Sequence, residues 1–422
     1  MTKEQIENSL RGFYSKGFFH IFVDGDVDIE NFESMSQKDK GTLVHEFCHF
    51  IQNIGSLWGM YQSIALYEQI LEIKKYIVEH EEINLPLTLT FPEGLQRKLN
   101  WIENGTGTVD YIANSRIDIT KPFRAIIKER ECNGKMVEYV ECEVFIIGKG
   151  DVQFELGAHI IKESMAAMYQ SIVDPSVEHN DFPYNLVELY CQCYYPELAT
   201  DKRKLICACF TSLFTLQPGV TLIRILKDES IHPSNDGLEL LADWVFNKNC
   251  VDGNGNTSLI SDFYNHMVDG LLKYLRANLQ APLQCTEALI NRTKPETKYM
   301  PLLSILYTHP DLPNDIVKEM MLYYGVPYIQ TPLMCHLPFM KDSTNGTEVS
   351  LDILELIAQE AILKIFTSSS QYCCPLHYMC DGTEYDKEEC FERPWDGNNC
   401  AFKIVSDFWG INKKSIKRNP TA

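Results

Sequence analysis

Residues 44–53, VHEFCHFIQN, constrain the fold and the chemistry of this chain more than any other segment. His45 and His49 are four positions apart, so on a helix both imidazoles project from one face and can bind the same metal ion. Glu46 lies beside them, and its carboxylate is free to deprotonate a water molecule that the metal activates. The spacing predicts a zinc site with Glu46 as general base. The alternative is two solvent-exposed histidines on an ordinary helix.

The surrounding residues predict that this helix is amphipathic. Ser36 and Asp39 resemble a capping box, and Gly55 offers a C-terminal stop. A strand over 17–24, GFFHIFVD, precedes the helix, and a second helix over 57–80 follows it. The residues that recur at helical spacing and face a core are Leu43, Phe47, Phe50, Ile51 and Ile54, while His45, His49 and Gln52 share another stripe.

Two imidazoles leave a tetrahedral zinc in need of a third protein ligand and an open position for water. No further histidine follows at the metzincin spacing, so we expect a glutamate on a second amphipathic helix. Glu163 in KESMAAMYQ is the best candidate, because it shares a stripe with His159, Ala166 and Gln170 and the small alanines allow close helix approach. His159 is a candidate second-shell residue that orients Glu163, or else a structural histidine.

Three other carboxylates compete with Glu163 for this role: Glu155, Glu178 and Glu188. A solvated carboxylate with no metal is the remaining interpretation of Glu163.

The HEFCH segment with the downstream KESMAAMYQ helix resembles the gluzincin group of metallopeptidases, in the thermolysin-like arrangement. The resemblance covers only these two helices, and their separation is far longer here than in thermolysin. It implies zinc binding by His45, His49 and Glu163, catalysis by Glu46, and a cleft between a mixed α/β lobe and a helical lobe.

We therefore expect a zinc-dependent peptidase that acts on a peptide or protein substrate, the choice of peptide coming from the resemblance alone. The same metal and base could hydrolyse non-peptide amides or esters. From a different class, the chain could be a non-catalytic, metal-stabilised interaction protein. A structural zinc site, however, fills its fourth position with protein and has no use for an unliganded Glu46.

The pattern along the chain predicts an α+β fold that is mainly helical. Residues 85–154 favour strands, with a hairpin turn at Asn133-Gly134, whereas residues 156–367 follow helical periodicity. Together with the gluzincin resemblance, this pattern implies a zincin-like catalytic lobe over 1–175 with an antiparallel β insertion, a helical lobe over 176–367 and a Cys-rich segment over 368–422.

The Cys-rich segment offers a candidate second, structural zinc site. Its ligands would come from Cys374, Cys380, Cys390 and Cys400, with His377 as a further donor. The spacing is irregular compared with paired C-x-x-C knuckles, so free or buried thiols are the alternative. The C-x-C pairs at 191–193 and 207–209 lie in apolar helical surroundings, and we expect them to pack in the core.

The charge balance argues against nucleic acid as a partner. The chain has 38 Lys and Arg against 58 Asp and Glu, a formal net charge of −20, with no segregated basic patch. The N-terminal residues lack a secretory h-region and no apolar run is long enough for a membrane span, so we expect a cytoplasmic protein with reduced cysteines. The acidic balance also favours substrates with neutral or basic residues near the cleaved bond.

Overall fold

The computed structural model describes residues 12–15, 20–29, 31–112, 114–251, 255–294, 301–308, 313–332, 335–336, 351–368, 395 and 401–418. Over these ranges the chain is α+β and mainly helical, as predicted. The helices are α1 (Gln37–Gly55), α2 (Leu57–Glu79), α3 (Glu93–Thr106), α4 (Ala158–Val173), α5 (Leu186–Tyr194), α6 (Pro196–Ala199), α7 (Lys202–Ser212), α8 (Pro218–Ile231), α9 (Gly237–Leu241), α10 (Ile260–Asn278), α11 (Cys285–Thr293), α12 (Pro301–Thr308), α13 (Pro313–Tyr324), α14 (Leu351–Thr367) and α15 (Ala401–Phe408).

The strands form small sheets. They are β1 (Gly12–Ser15), β2 (His20–Val23), β3 (Glu82–Leu85), β4 (Arg124–Cys132), β5 (Lys135–Ile146), β6 (Gly150–Leu156), β7 (Asn249–Val251), β8 (Thr257–Leu259), β9 (Tyr328–Gln330), β10 (Cys335–His336) and β11 (Ser415–Arg418). One sheet has the order β1-β2-β9-β10, with β2 and β9 parallel. An antiparallel sheet has the order β4-β5-β6, β3 pairs in parallel with β11, and β7 pairs with β8.

Helix α1 begins and ends where its sequence signals predict. The backbone N–H of Asp39 donates to Ser36 Oγ at 3.1 Å, and the Ser36 hydroxyl donates to Asp39 Oδ2 at 2.6 Å, so the N-terminus is capped in both directions. Every residue from Lys40 to Gly55 is buried, since other elements cover the helix on all sides. Its closest partner is α4, against which Gly41 packs.

The predicted hairpin is also confirmed. Asn133 and Gly134 join β4 to β5 with φ values of 52° and 75°, the left-handed conformation that a two-residue type I′ turn requires. β6 completes this antiparallel sheet and leads through Gly157 directly into α4. In the described part of the predicted strand over 17–24, β2 covers His20–Val23, while residues 17–19 lie outside the described residues. The predicted second helix is observed as α2.

Three stretches differ from the sequence-based assignment. The antiparallel pair of β7 and β8 lies within residues 156–367, where we expected helices. Helix α3 lies within residues 85–154, where we expected strands. The sequence pattern missed it because this short helix buries few side chains beyond Leu95. Strands β9 and β10 lie within the stretch expected to be helical, because β9 is stabilised by pairing with β2, far away in the sequence. Residues assigned to two lobes thus share one sheet, while the lobe boundaries at 175 and 367 stay predictions.

Three of the four C-x-C cysteines are in the core, as expected. Cys191, Cys207 and Cys209 are fully buried, whereas Cys193 is exposed and was assigned wrongly. Among the helices in the described ranges, none is long and apolar enough to cross a membrane.

Candidate metal centre

Helices α1 and α4 bring His45, His49 and Glu163 together. The two Nε2 atoms are 3.2 Å apart, and Glu163 Oε2 lies 3.5 Å from His45 Nε2 and 3.4 Å from His49 Nε2. The helical spacing of the two histidines places them on one face, and the close packing of α4 on α1 brings the carboxylate against them. Among the residues that the structure describes, no other group of three His, Cys, Asp or Glu donors comes this close.

These distances fit a tetrahedral zinc ion. Donors bound at the usual zinc distances of about 2.0–2.2 Å lie roughly 3.3–3.6 Å from one another around a tetrahedron. The three measured separations, 3.2, 3.4 and 3.5 Å, lie in or next to this interval. Two nitrogens and one carboxylate oxygen also match the ligand set of catalytic zinc sites, which keep the fourth position open.

Gln52 fixes the orientation of His49. The Gln52 side-chain amide donates to the Lys162 carbonyl oxygen at 3.0 Å, so its Oε1 faces His49. That oxygen only accepts, so at 2.9 Å it requires a proton on His49 Nδ1. In neutral His49 the lone pair is therefore on Nε2, directed at Glu163 and His45, as a metal ligand needs.

The ionisation of His45 and Glu163 reflects their crowding. Burial lowers the pKa of His45, but the hydrogen bond with Glu163 and the charge of Glu46 outweigh it, and the pKa is raised overall. Burial raises the pKa of Glu163, yet the neighbouring His49 and His45 hold it well below its usual value. Without a metal, this centre stabilises a proton on His45 and a charge on Glu163.

Glu46 lies beside the three donors but is not one of them. Only 6% of the surface of Glu46 is exposed. Burial raises its pKa, and the charges of His45 and His49 only partly oppose this. A carboxylate with a raised pKa near a metal is a stronger base than an ordinary surface glutamate.

Gly12 on β1 packs directly against Glu46. A Cβ atom at Gly12 would lie 2.9 Å from both Glu46 Cγ and Oε1, and 3.0 Å from the Phe22 carbonyl oxygen. The missing side chain at position 12 therefore makes the space that the Glu46 carboxylate occupies.

The other carboxylates considered as zinc ligands lie in different surroundings. Glu155 forms a bidentate pair with Arg130, at 2.9 and 2.7 Å. Glu178 is 3.7 Å from Arg116, and Glu188 is 3.4 Å from Lys202. None of the three joins the histidines. His159 Nδ1 lies 3.9 Å from Glu163 Oε1, next to the carboxylate it was predicted to orient but beyond hydrogen-bond distance.

Two adjoining cavities flank the centre, and both are lined by Gly12, His45, Glu46, Tyr111 and Tyr184. The first, here called the aromatic cavity, has a volume of about 270 Å³. Its apolar walls come from Phe13, Tyr14, Trp58, Val109, Ala158 and Pro183. The second, here called the polar cavity, has a volume of about 470 Å³. Its further lining includes Thr42, Gln170, Asp174, Ser176, Glu178 and His179.

Tyr184 and His179 are site residues that the sequence did not single out. The Tyr184 ring lies 5.9 Å from the His45 ring and 5.0 Å from the His179 ring. Burial raises the pKa of Tyr184, so its hydroxyl stays protonated and able to donate. Burial and the neighbouring His45 lower the pKa of His179 to about 4. Nothing in the sequence distinguishes Tyr184 from the other tyrosines.

No protein-family model matches the chain, and neither a curated protein nor a solved structure gives a significant match. The cysteines of the candidate second zinc site, Cys374, Cys380, Cys390 and Cys400, lie outside the described residues, and that site stays a prediction.

Proposed function

We propose that the protein is a zinc-dependent metallopeptidase of the gluzincin type. The observation that carries this proposal is the convergence of His45, His49 and Glu163 at tetrahedral separations, with Glu46 beside them in an open cleft. A site that served only to stabilise the fold would need neither a free carboxylate next to the ligands nor a cleft leading to them.

His45, His49 and Glu163 would hold the zinc. When bound, zinc supplies Lewis-acid polarisation of the scissile carbonyl and lowers the pKa of a water molecule. Glu46 accepts the proton from the attacking water and then delivers it to the departing amine nitrogen. Tyr184, whose hydroxyl stays protonated, is our candidate for donating a hydrogen bond to the oxygen that gains negative charge.

The shape of the cleft favours an extended substrate over a small ester or amide. The cavities continue on both sides of His45 and Glu46, so a chain could occupy both while its central bond lies at the centre. Within the described residues, β1 pairs only with β2, and it lines the aromatic cavity. An unpaired strand edge offers backbone hydrogen bonds that a peptide can complete.

We propose in addition a cytoplasmic location, with neither nucleic acid nor membrane as partner.

Glu46→Gln tests the catalytic proposal. Glutamine keeps the shape of the side chain but accepts no proton, so zinc content and folding should persist while peptide hydrolysis falls by at least about a hundredfold. Glu188→Gln, outside the metal centre, is the matched control and should cleave normally.

The readouts are zinc per chain and the cleavage rate of an internally quenched peptide library. Equal cleavage by the Glu46→Gln variant would show that the mechanism is wrong. If the zinc-loaded, unmodified protein cleaves no peptide, the interaction-protein alternative gains support.

A further inference from the structure

Asp174 is a buried carboxylate in the wall of the polar cavity. Only 3% of its surface is exposed, although charged residues are rarely buried to this degree without a charged partner. It follows the last residue of α4, the helix that carries Glu163, so it is held rigidly relative to the metal centre.

The hydrogen bonds of Asp174 satisfy only one of its carboxylate oxygens. Oδ1 accepts from the backbone N–H of Ser176 at 3.1 Å and from the Ser176 hydroxyl at 2.6 Å. Within the described ranges, Oδ2 accepts no hydrogen bond and Asp174 forms no ion pair. This oxygen is not sealed in the protein but open to the cavity, where a cation would compensate its charge.

The cations near this cavity are engaged elsewhere or solvated. Arg116 lies 3.7 Å from Glu178 and 3.6 Å from Asp181, and it does not line the cavity. Lys38 does line the cavity but is exposed at its rim. Asp174 is also no part of a second metal centre, because the described donors form no other cluster.

From these contacts we propose that the polar cavity is a subsite for a cationic side chain, lysine or arginine, of the substrate, with Asp174 as its counter-ion. The inference rests on the proposed peptidase function and names the substrate class. A substrate cation would donate a hydrogen bond to Oδ2 and supply the charged partner that Asp174 lacks. The hydroxyl and amide groups of Thr42, Ser176 and Gln170 would contact its remaining polar atoms.

The aromatic cavity is less suited to a cation than the polar cavity. The aromatic cavity is walled by Phe13, Tyr14 and Trp58, and it suits a large apolar side chain. Tyr111 and Tyr184 line both cavities, so aromatic rings lie next to a cation that enters the polar one. The preferred substrate therefore has an apolar residue on one side of the cleaved bond and a basic residue on the other.

The test compares arginine with citrulline, its neutral near-isostere. A randomised, internally quenched peptide library first identifies cleaved sequences, and the best one is then synthesised with each residue at the basic position. The unmodified protein should cleave the arginine peptide at least about tenfold faster in kcat/KM, the range expected for a hydrogen bond to a charged group. In Asp174→Asn, where Oδ1 still accepts from Ser176, this ratio should fall to near one.

Asp151→Asn is the matched control, since Asp151 is an exposed carboxylate that lines neither cavity, and its ratio should equal that of the unmodified protein. Zinc content and melting temperature of Asp174→Asn show whether the variant is folded. Cleavage with no arginine preference, or a preference that survives in folded Asp174→Asn, overturns the subsite. Cleavage of no library peptide by the zinc-loaded protein overturns the peptidase function itself.

Discussion

Glycine at position 12 is explained by the carboxylate that it accommodates. A methyl group there would lie 2.9 Å from Glu46 Oε1, too close for Glu46 to keep its position. We expect Gly12→Ala to lower kcat by about a hundredfold, because a displacement of about 1 Å in a catalytic group has effects of this size. Zinc content should stay at the level of the unmodified protein, since none of the ligands touches position 12 in this way.

Gly270→Ala provides the control for this substitution. Gly270 lies within α10 with no atom within 4 Å of an added Cβ, so alanine should leave the peptidase rate unchanged. Activity of Gly12→Ala close to that of the control would mean that Glu46 does not depend on this space.

Single residues were predictable only where their role depends on local spacing. His45, Glu46 and His49 lie within one helical turn, whereas the stripe on α4 made Glu163 only the best of four candidate carboxylates until the structure brought it to the two histidines. Gly12 and Asp174 carry no such signal, because their importance depends on contacts with Glu46 and with a cavity that exist only after folding.

At the level of elements, Gln52 forms a hydrogen-bonded link between α1 and α4. Its amide joins the His49 ring to the Lys162 carbonyl oxygen, next to Glu163. Gln52→Ala should weaken zinc affinity about 10- to 100-fold, the usual effect of removing a partner that orients a metal-bound histidine. Competition with a chelator of known affinity measures this change.

Gln52→Glu separates orientation of His49 from packing between the helices. A carboxylate still accepts from His49 Nδ1 but no longer donates to the Lys162 carbonyl oxygen, so zinc affinity should be higher than in Gln52→Ala. Equal affinity in Gln52→Ala and the unmodified protein would contradict the role given to Gln52.

Elements with strong local signals were predicted well. The capping pair at Ser36 and Asp39, and the Asn133-Gly134 turn, specify their structures within a few residues. β9 has no such signal, because three residues become a strand only when β2 lies beside them. The sequence pattern thus failed to predict this long-range pairing, and it also missed two short local elements, helix α3 and the β7–β8 pair.

At the scale of the whole molecule, zinc should couple stability to pH. Glu163 and Glu46 outweigh burial and raise the pKa of His45 above 6.5 in the metal-free protein. This group therefore stabilises the metal-free fold below about pH 6.5, and its contribution is lost as pH rises through the raised pKa. The pKa of Glu163 is depressed, so its contribution to stability is fully present above its unfolded pKa of 4.5. That contribution is therefore constant between pH 6 and 8.

The stability that zinc binding adds should instead increase as pH rises. Zinc binds neutral imidazole, so binding displaces the proton from His45 and becomes stronger as pH rises. We expect the gap in melting temperature between zinc-loaded and chelator-treated protein to widen from pH 6 to pH 8. The change should approach about 1.4 kcal/mol per pH unit for one displaced proton, until the pH passes the raised pKa.

A gap that stays constant with pH would mean that no proton leaves the centre when zinc binds. His45→Ala should abolish the difference in melting temperature that zinc at this centre causes. The double variant Cys380→Ser with Cys390→Ser should keep that difference and lose only the second zinc predicted for the Cys-rich segment. Zinc counts of these variants would therefore assign each ion to its ligands, because each variant removes ligands of one site only.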